Sequence, residues 1–201
     1  MSMEKLATRG RPRQFDLDEA LALALRVFWT KGYEGTSLTD LTEVMGITRP
    51  SLYAAFGNKE SLFRQALDLY EREKLAYIGK AIGAPTARAV AENLLLGAVE
   101  NATGGECRGC MGVISSVACQ SAESSIRDDI NGRAESSKRA IVERMQQAID
   151  AGDFVVPTQA EAITRYLVTI MQGMSVQAQS GATRQELLQV AEAALAGWPS
   201  R

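Results

Sequence analysis

A glycine at position 46, set between two short amphipathic stretches, constrains the fold of this chain more than any other feature. Ser37 followed by Asp40 is an S-x-x-D pattern, which caps free backbone N–H groups and opens a helix. Leu38, Leu41, Val44 and Met45 recur at helical spacing and give that helix one apolar face. Gly46 ends it, because the left-handed conformation that closes a helix is cheapest for glycine. Ile47 fills the corner, Thr48 caps the next helix, and Pro50 falls in its first turn, where a missing N–H is no loss. Leu52 and Phe56 face inward, so Arg49, Ser51, Tyr53 and Ala54 are left outward. A short helix with this free face suits the major groove of a duplex, where arginine grips guanine and hydroxyls reach bases or phosphates.

The longer run from Phe28 to Leu62 resembles the DNA-binding segment of the TetR family of bacterial transcriptional regulators. The resemblance rests on Gly32-Tyr33, Thr36-Ser37, Gly46-Ile47, Leu52-Tyr53 with Phe56, and Asn58-Lys59-Glu60. It implies a homodimeric repressor that binds a palindromic operator in double-stranded DNA and is released by a small-molecule effector. Carried over by position, Thr36 and Ser37 touch phosphates. Thr48, Arg49, Pro50 and Ser51 face bases and nearby backbone. Tyr53 contacts phosphate, and Lys59 holds one at the next helix's N-terminus, where the helix dipole helps. Three positions depart from the common pattern: Thr42 replaces a frequent Ala, and Ala54 and Ala55 replace His and Tyr.

The chain has 201 residues and a formal charge of −2, so it is no basic nucleic-acid coat. Its positive charge is instead local. Lys5, Arg9, Arg11 and Arg13 against Glu4 give residues 1–15 a net +3. Arg9-Gly10-Arg11-Pro12-Arg13 resembles the core of an AT-hook, a basic arm for narrow A·T-rich minor grooves. Histidine is absent, which removes His-based triads, His metal sites and imidazole bases. No Gly-rich phosphate loop, signal peptide or membrane-length apolar run is present. A cytoplasmic protein without cofactor or catalytic function is expected.

The remaining periodicity is helical throughout, about nine helices in all. This gives an all-α fold with an N-terminal three-helix helix-turn-helix domain behind a basic arm (residues 1–60). A larger helical effector-binding and dimerisation domain follows (residues 61–201). The first helix runs from an Asp16 cap to about Lys31, and a fourth from Asn58 to about Ile82, linking head to body. The helix after Gly152-Asp153 opens at Pro157–Thr158. In the last two helices, Ile163, Leu167, Ile170, Met174, Leu187, Leu188, Ala191 and Leu195 recur at helical spacing and are assigned to a four-helix dimer interface. Tyr77, Met111, Tyr166, Met171 and Met174 are candidate effector-pocket residues.

Cys107-x-x-Cys110, with Cys119 beyond it, leaves alternatives open. Three thiols and Glu106 are a poor metal set without histidine. A redox or electrophile sensor is an alternative function, with Arg108 standing between the first two thiols. A thiol oxidoreductase is a remoter one, because no βαβ pattern of the thioredoxin type surrounds the pair.

Overall fold

The computed structural model describes residues 15–118 and 124–200, and among these it is all-helical, with a single isolated bridge between Phe154 and Ser200. The described helices number ten: α1 (Leu17–Gly35), α2 (Leu38–Met45), α3 (Arg49–Phe56), α4 (Lys59–Lys74), α5 (Ala76–Ile82), α6 (Ala87–Thr103), α7 (Met111–Ala118), α8 (Ser124–Asp150), α9 (Ala160–Gln179) and α10 (Arg184–Ala196). The caps follow from the sequence. Asp16 accepts from the N–H groups of Asp18 and Glu19, Asn58 from Ser61, Thr86 from Ala89 and Thr183 from Glu186. Gly32, at φ 69° and ψ 176°, breaks helical geometry within α1, so its regular part stops near Lys31.

Two boundaries differ from expectation. The long helix expected to reach Ile82 is interrupted at Leu75, whose φ of −100° and ψ of 1° leave the helical region. No glycine or proline marks the break. Its cause is packing: Leu75 sits against the first of two apolar clusters, whereas Ile78, Ala81 and Ile82 belong to the second. The helix expected to open at Pro157–Thr158 begins instead at Ala160, because the Thr158 hydroxyl donates back to the Val156 carbonyl and Gln159 takes the cap position.

The first cluster is built where α1 crosses α4. Phe28 and Phe63 meet edge to face at 5.0 Å, Tyr33 and Phe63 at 5.1 Å, and Trp29 and Tyr70 at 4.7 Å. Leu41, Leu52 and Phe56 pack the short helices onto this pair, and Met111, Ile126 and Ile130 extend it into α7 and α8. The apolar cluster therefore runs across residue 60 without a gap. The second cluster joins α6, α9 and α10 through Leu94, Leu95, Leu167, Met174, Leu187 and Trp198.

An ionic ladder holds the solvent side of α4 to α8. Arg64 pairs with Glu60 at 2.7 Å and Asp129 at 3.2 Å. Arg133 pairs with Asp68, Glu71 and Asp129 at 2.7, 2.9 and 3.0 Å. Such half-exposed pairs contribute less than the apolar face of the same helix. Phe63→Ala should therefore cost about 3–5 kcal/mol in urea unfolding. Arg64→Ala should cost about 1 kcal/mol or less.

Candidate nucleic-acid interface and internal cavity

The recognition surface is assembled by two tight helix ends. Gly46 stands at φ 64° and ψ 29°, and its N–H and that of Ile47 return to the Glu43 and Thr42 carbonyls, closing α2. Thr48 Oγ1 then accepts from Ser51 N at 3.3 Å and opens α3, with the Ser51 hydroxyl 2.9 Å away. Leu52 and Phe56 are buried, which turns Arg49, Pro50, Tyr53, Ala54 and Ala55 to solvent. Gly57, at φ 80°, reverses the chain so that Asn58 can cap α4. Lys59, in the first turn of α4, holds its ammonium 4.3 Å over the Tyr33 ring.

Arg49 Nη2 donates to Thr39 Oγ1 at 2.9 Å. Thr39 is exposed on α2 and was not among the residues expected at this surface. Helical phase could have found it, since the apolar positions of α2 leave residue 39 outward.

Thr36 requires a correction. Its side chain is buried, and its hydroxyl donates to the Gly32 carbonyl at 2.6 Å, so it is turned away from any phosphate. Ser37 is exposed but engaged: its hydroxyl donates to Asp40 Oδ2 and accepts from Asp40 N, completing a capping box. Lys31, at 2.6 Å, and then Ser37 hold the Asp40 carboxyl well below the usual carboxylate range. Arg9, Arg11 and Arg13 lie outside the described residues.

Behind the head, α4–α9 enclose a cavity of about 430 Å³, within the usual range for small-molecule sites. Its polar point is a chain of three side chains. Asn101 Nδ2 donates to the Tyr70 hydroxyl at 2.9 Å, which donates to Cys110 Sγ at 3.1 Å. Burial, and next the neighbouring Cys110, pushes the Tyr70 and Tyr77 phenols well above the tyrosine range, so both stay neutral.

Of the candidate pocket residues, Tyr77, Met171 and Cys110 line this cavity. Met111 and Tyr166 do not. Met111 is wholly buried in the first apolar cluster, and Tyr166 is 45% exposed on the outer side of α9. Met174 is buried in the second cluster. Tyr70 and Asn101 were missed, because the contact joins residues on separate helices that no periodicity connects.

The loop between α6 and α7 ties several helices together. Glu106 pairs with Arg26 of α1 at 3.0 Å, and Cys107 Sγ lies 3.9 Å from Thr30 Oγ1. Cys110 N donates to Ser175 Oγ of α9 at 2.6 Å. Gly109, at φ 81°, lies so close to α9 that a Cβ would stand 3.0 Å from the Ser175 carbonyl oxygen. Arg108 does not serve the thiols as expected; its guanidinium is directed to the Ala182 carbonyl at 3.4 Å. Cys119 lies outside the described residues. No cluster of three metal-ligating side chains and no membrane-length apolar helix occur among the described residues.

The assigned dimer residues are largely turned inward. Leu167, Met174, Leu187 and Ala191 are buried in the chain's own core, and Ile163, Ile170, Leu188 and Leu195 pack against it. Their spacing reported the monomer's core. The outer faces of α9 and α10 carry Tyr166, Gly173, Val176 and Val190 instead.

An all-helical body behind a capped helix-turn-helix with a polar, exposed second helix defines a DNA-binding regulator. The description of bacterial regulatory proteins of the tetR family matches residues 20–66. The HTH-type transcriptional repressor ComR of Escherichia coli (strain K12) is 33% identical over 196 residues, 96% of this chain and 93% of that protein. The repressor BdcR of the same organism is 30% identical over 194 residues, 94% of this chain and 90% of that protein. Among solved structures, a cysteine mutant of the TetR family transcriptional regulator CifR, complexed with 26-bp double-strand operator DNA, is 42% identical. It has a TM-score of 0.86 and covers 94% of this chain and 100% of its own. The chain belongs to the TetR family of bacterial transcriptional regulators.

Asp40 gives the head a defined pH response. A carboxyl depressed in the folded state stabilises fully above its unfolded pKa of about 4, and that contribution is lost as pH falls further. Asp40→Asn should therefore lower the melting temperature at pH 7, and the gap to the unaltered protein should narrow from about pH 4 downward.

Proposed function

We propose that the protein is a homodimeric transcriptional repressor that binds a palindromic operator and is released by a small molecule held in the 430 Å³ cavity. The observation that carries this is α3: Leu52 and Phe56 anchor it, and Arg49, Pro50 and Tyr53 stand outward beside the Thr48 cap. The repressor relatives and the operator complex of CifR support the same reading. Residues 1–60, with the basic arm, form the DNA-binding domain, and residues 61–201 the effector-binding and dimerisation domain. Thr48, Arg49, Pro50 and Ser51 face bases and adjacent backbone, while Tyr53 and Lys59 serve phosphates; Ser37, whose N–H and hydroxyl both donate to Asp40, orders the start of α2 beside them.

One short helix reads few base pairs, so two copies must present α3 about one helical turn of DNA apart. The outer faces of α9 and α10, with Tyr166, Val176 and Val190 exposed, are the surface for the second copy. A ligand that binds the non-DNA conformation better shifts the population away from DNA, with α4 as the connecting element.

A second reading, thiol sensing, is favoured by one contact: Cys110 Sγ, the acceptor for Tyr70, lies in the wall of the cavity. Modification of Cys110 by an electrophile would break that hydrogen bond. Loss of operator binding on alkylation, prevented by Cys110→Ser, would establish it; equal loss in the variant would reject it.

Operator selection from a genomic library supplies the duplex for the main test. Arg49→Ala should cost about 1–3 kcal/mol on the selected site and relax its specificity. Lys59→Ala should weaken selected and random duplexes more evenly. Light scattering should report a dimer; a monomer at working concentration would overturn the proposal.

A further inference from the structure

Two hollows meet at α5, the second of them open to solvent among the exposed Arg26, Lys74 and Glu106. The 430 Å³ cavity and a wider one of about 730 Å³ beside α1 share two lining residues on either side of their boundary, Tyr77 and Asn101. We infer that the smaller cavity takes a largely apolar molecule without negative charge, and that Tyr77, resting on Gly97, sets the greatest length it accepts. This rests on the effector reading of the cavity given above.

The cations in the cavity wall are already paired. Four charged side chains line the cavity: Glu71, Arg133, Glu135 and Lys138. Glu71 accepts from Arg133 at 2.9 Å, and Lys138 pairs with Glu135 at 3.2 Å. Arg133 is further occupied by Asp68 and Asp129. With three carboxylates already on Arg133 and Glu135 on Lys138, neither cation is left over to receive an anion. A carboxylate entering here would lose its hydration without gaining a counter-charge, and that is costly. The inner donors are similarly committed, Asn101 Nδ2 to Tyr70, Tyr70 to Cys110, and the Cys110 backbone to Ser175, while Asn101 Oδ1 is buried without a partner and can accept from a neutral hydroxyl but not from a carboxylate. Beyond that acceptor and the uncharged Asn131, Ser137 and Gln172, the wall is largely aliphatic, with Leu67, Ile78, Ile130, Ile141, Val168 and Met171.

The length limit is steric. A Cβ on Gly97 would lie 2.1 Å from Tyr77 Cδ2 and 2.6 Å from Cε2, so the ring occupies the space that any side chain at 97 would need. The ring is thus seated against the α6 backbone and forms the partition between the hollows. A straight-chain molecule filling the smaller cavity ends against it. With the ring moved or removed, the two spaces join and a longer chain fits.

The test uses the full-length protein and straight-chain probes: 1-alkanols from hexanol to tetradecanol, and the carboxylates of the same lengths. Calorimetry gives affinities, with thermal shift as a second readout. Alkanol affinity should rise about fourfold per methylene until the chain meets Tyr77, and then fall. Carboxylates should bind at least about tenfold more weakly than alkanols of equal length. Tyr77→Ala, and independently Gly97→Ala, should move the best length upward. The break in the series and the alkanol preference are read on the unaltered protein, so the test does not depend on either variant folding. Affinity climbing through the series without a break would overturn the inference. So would an unmoved optimum in folded variants, or carboxylates binding as well as alkanols. Absence of binding by every probe would overturn the effector reading itself, and this inference with it.

Discussion

The crossing of α1 over α4 supports everything at both ends of the molecule. Phe28, Tyr33 and Phe63 interlock there by edge-to-face and offset contacts, and Trp29 meets Tyr70 one step further along. On one side this packing gives Leu41, Leu52 and Phe56 a surface to cover, which fixes how α3 is presented. On the other side it positions Tyr70, whose hydroxyl reaches the cavity. The same two helices therefore carry the helix-turn-helix and one wall of the cavity. Aromatic contacts of this kind contribute beyond their buried area because ring edges and faces are electrostatically complementary.

The interruption at Leu75 gives this arrangement a joint. Above it, α4 is gripped by the aromatic cluster and by the Arg64 and Arg133 pairs to α8. Below it, α5 packs into the second cluster with α6. A continuous helix would make head and body one rod. The bend divides them between two cores, so a change in one core reaches α4 through side-chain packing and not along a helix axis. The cysteine loop adds a second route, since Glu106 holds α1 while Gly109 and Cys110 rest on α9.

Local chemistry was legible in the sequence, and long-range company was not. Ser37, Thr48, Asn58, Thr86 and Thr183 announce helix starts because a cap works through neighbours two or three residues away. Gly46 announces a corner because its backbone angle suits little else. Thr36 misled because a hydroxyl near a helix start can turn inward as readily as outward, and here Gly32 offers it a carbonyl. Leu167 and Leu187 misled for a related reason. Helical spacing identifies an apolar stripe without saying whether it covers the chain's own core or another copy's. The Leu75 break and the Asn101–Tyr70–Cys110 chain left no trace, since each is decided by residues far away in the sequence.

The geometry of α9 carries a thermodynamic consequence. Val168, Met171 and Ser175 turn toward the cavity, while Tyr166 and Val176 stand on the far side of the same rod. Were that far side covered by a second copy, the helix could not rotate to improve one set of contacts without disturbing the other. Filling the inside and covering the outside are then linked equilibria. Linkage is reciprocal, so a molecule in the cavity that changes the outer association by some factor must itself be bound more or less tightly by that same factor once the outer contact is made.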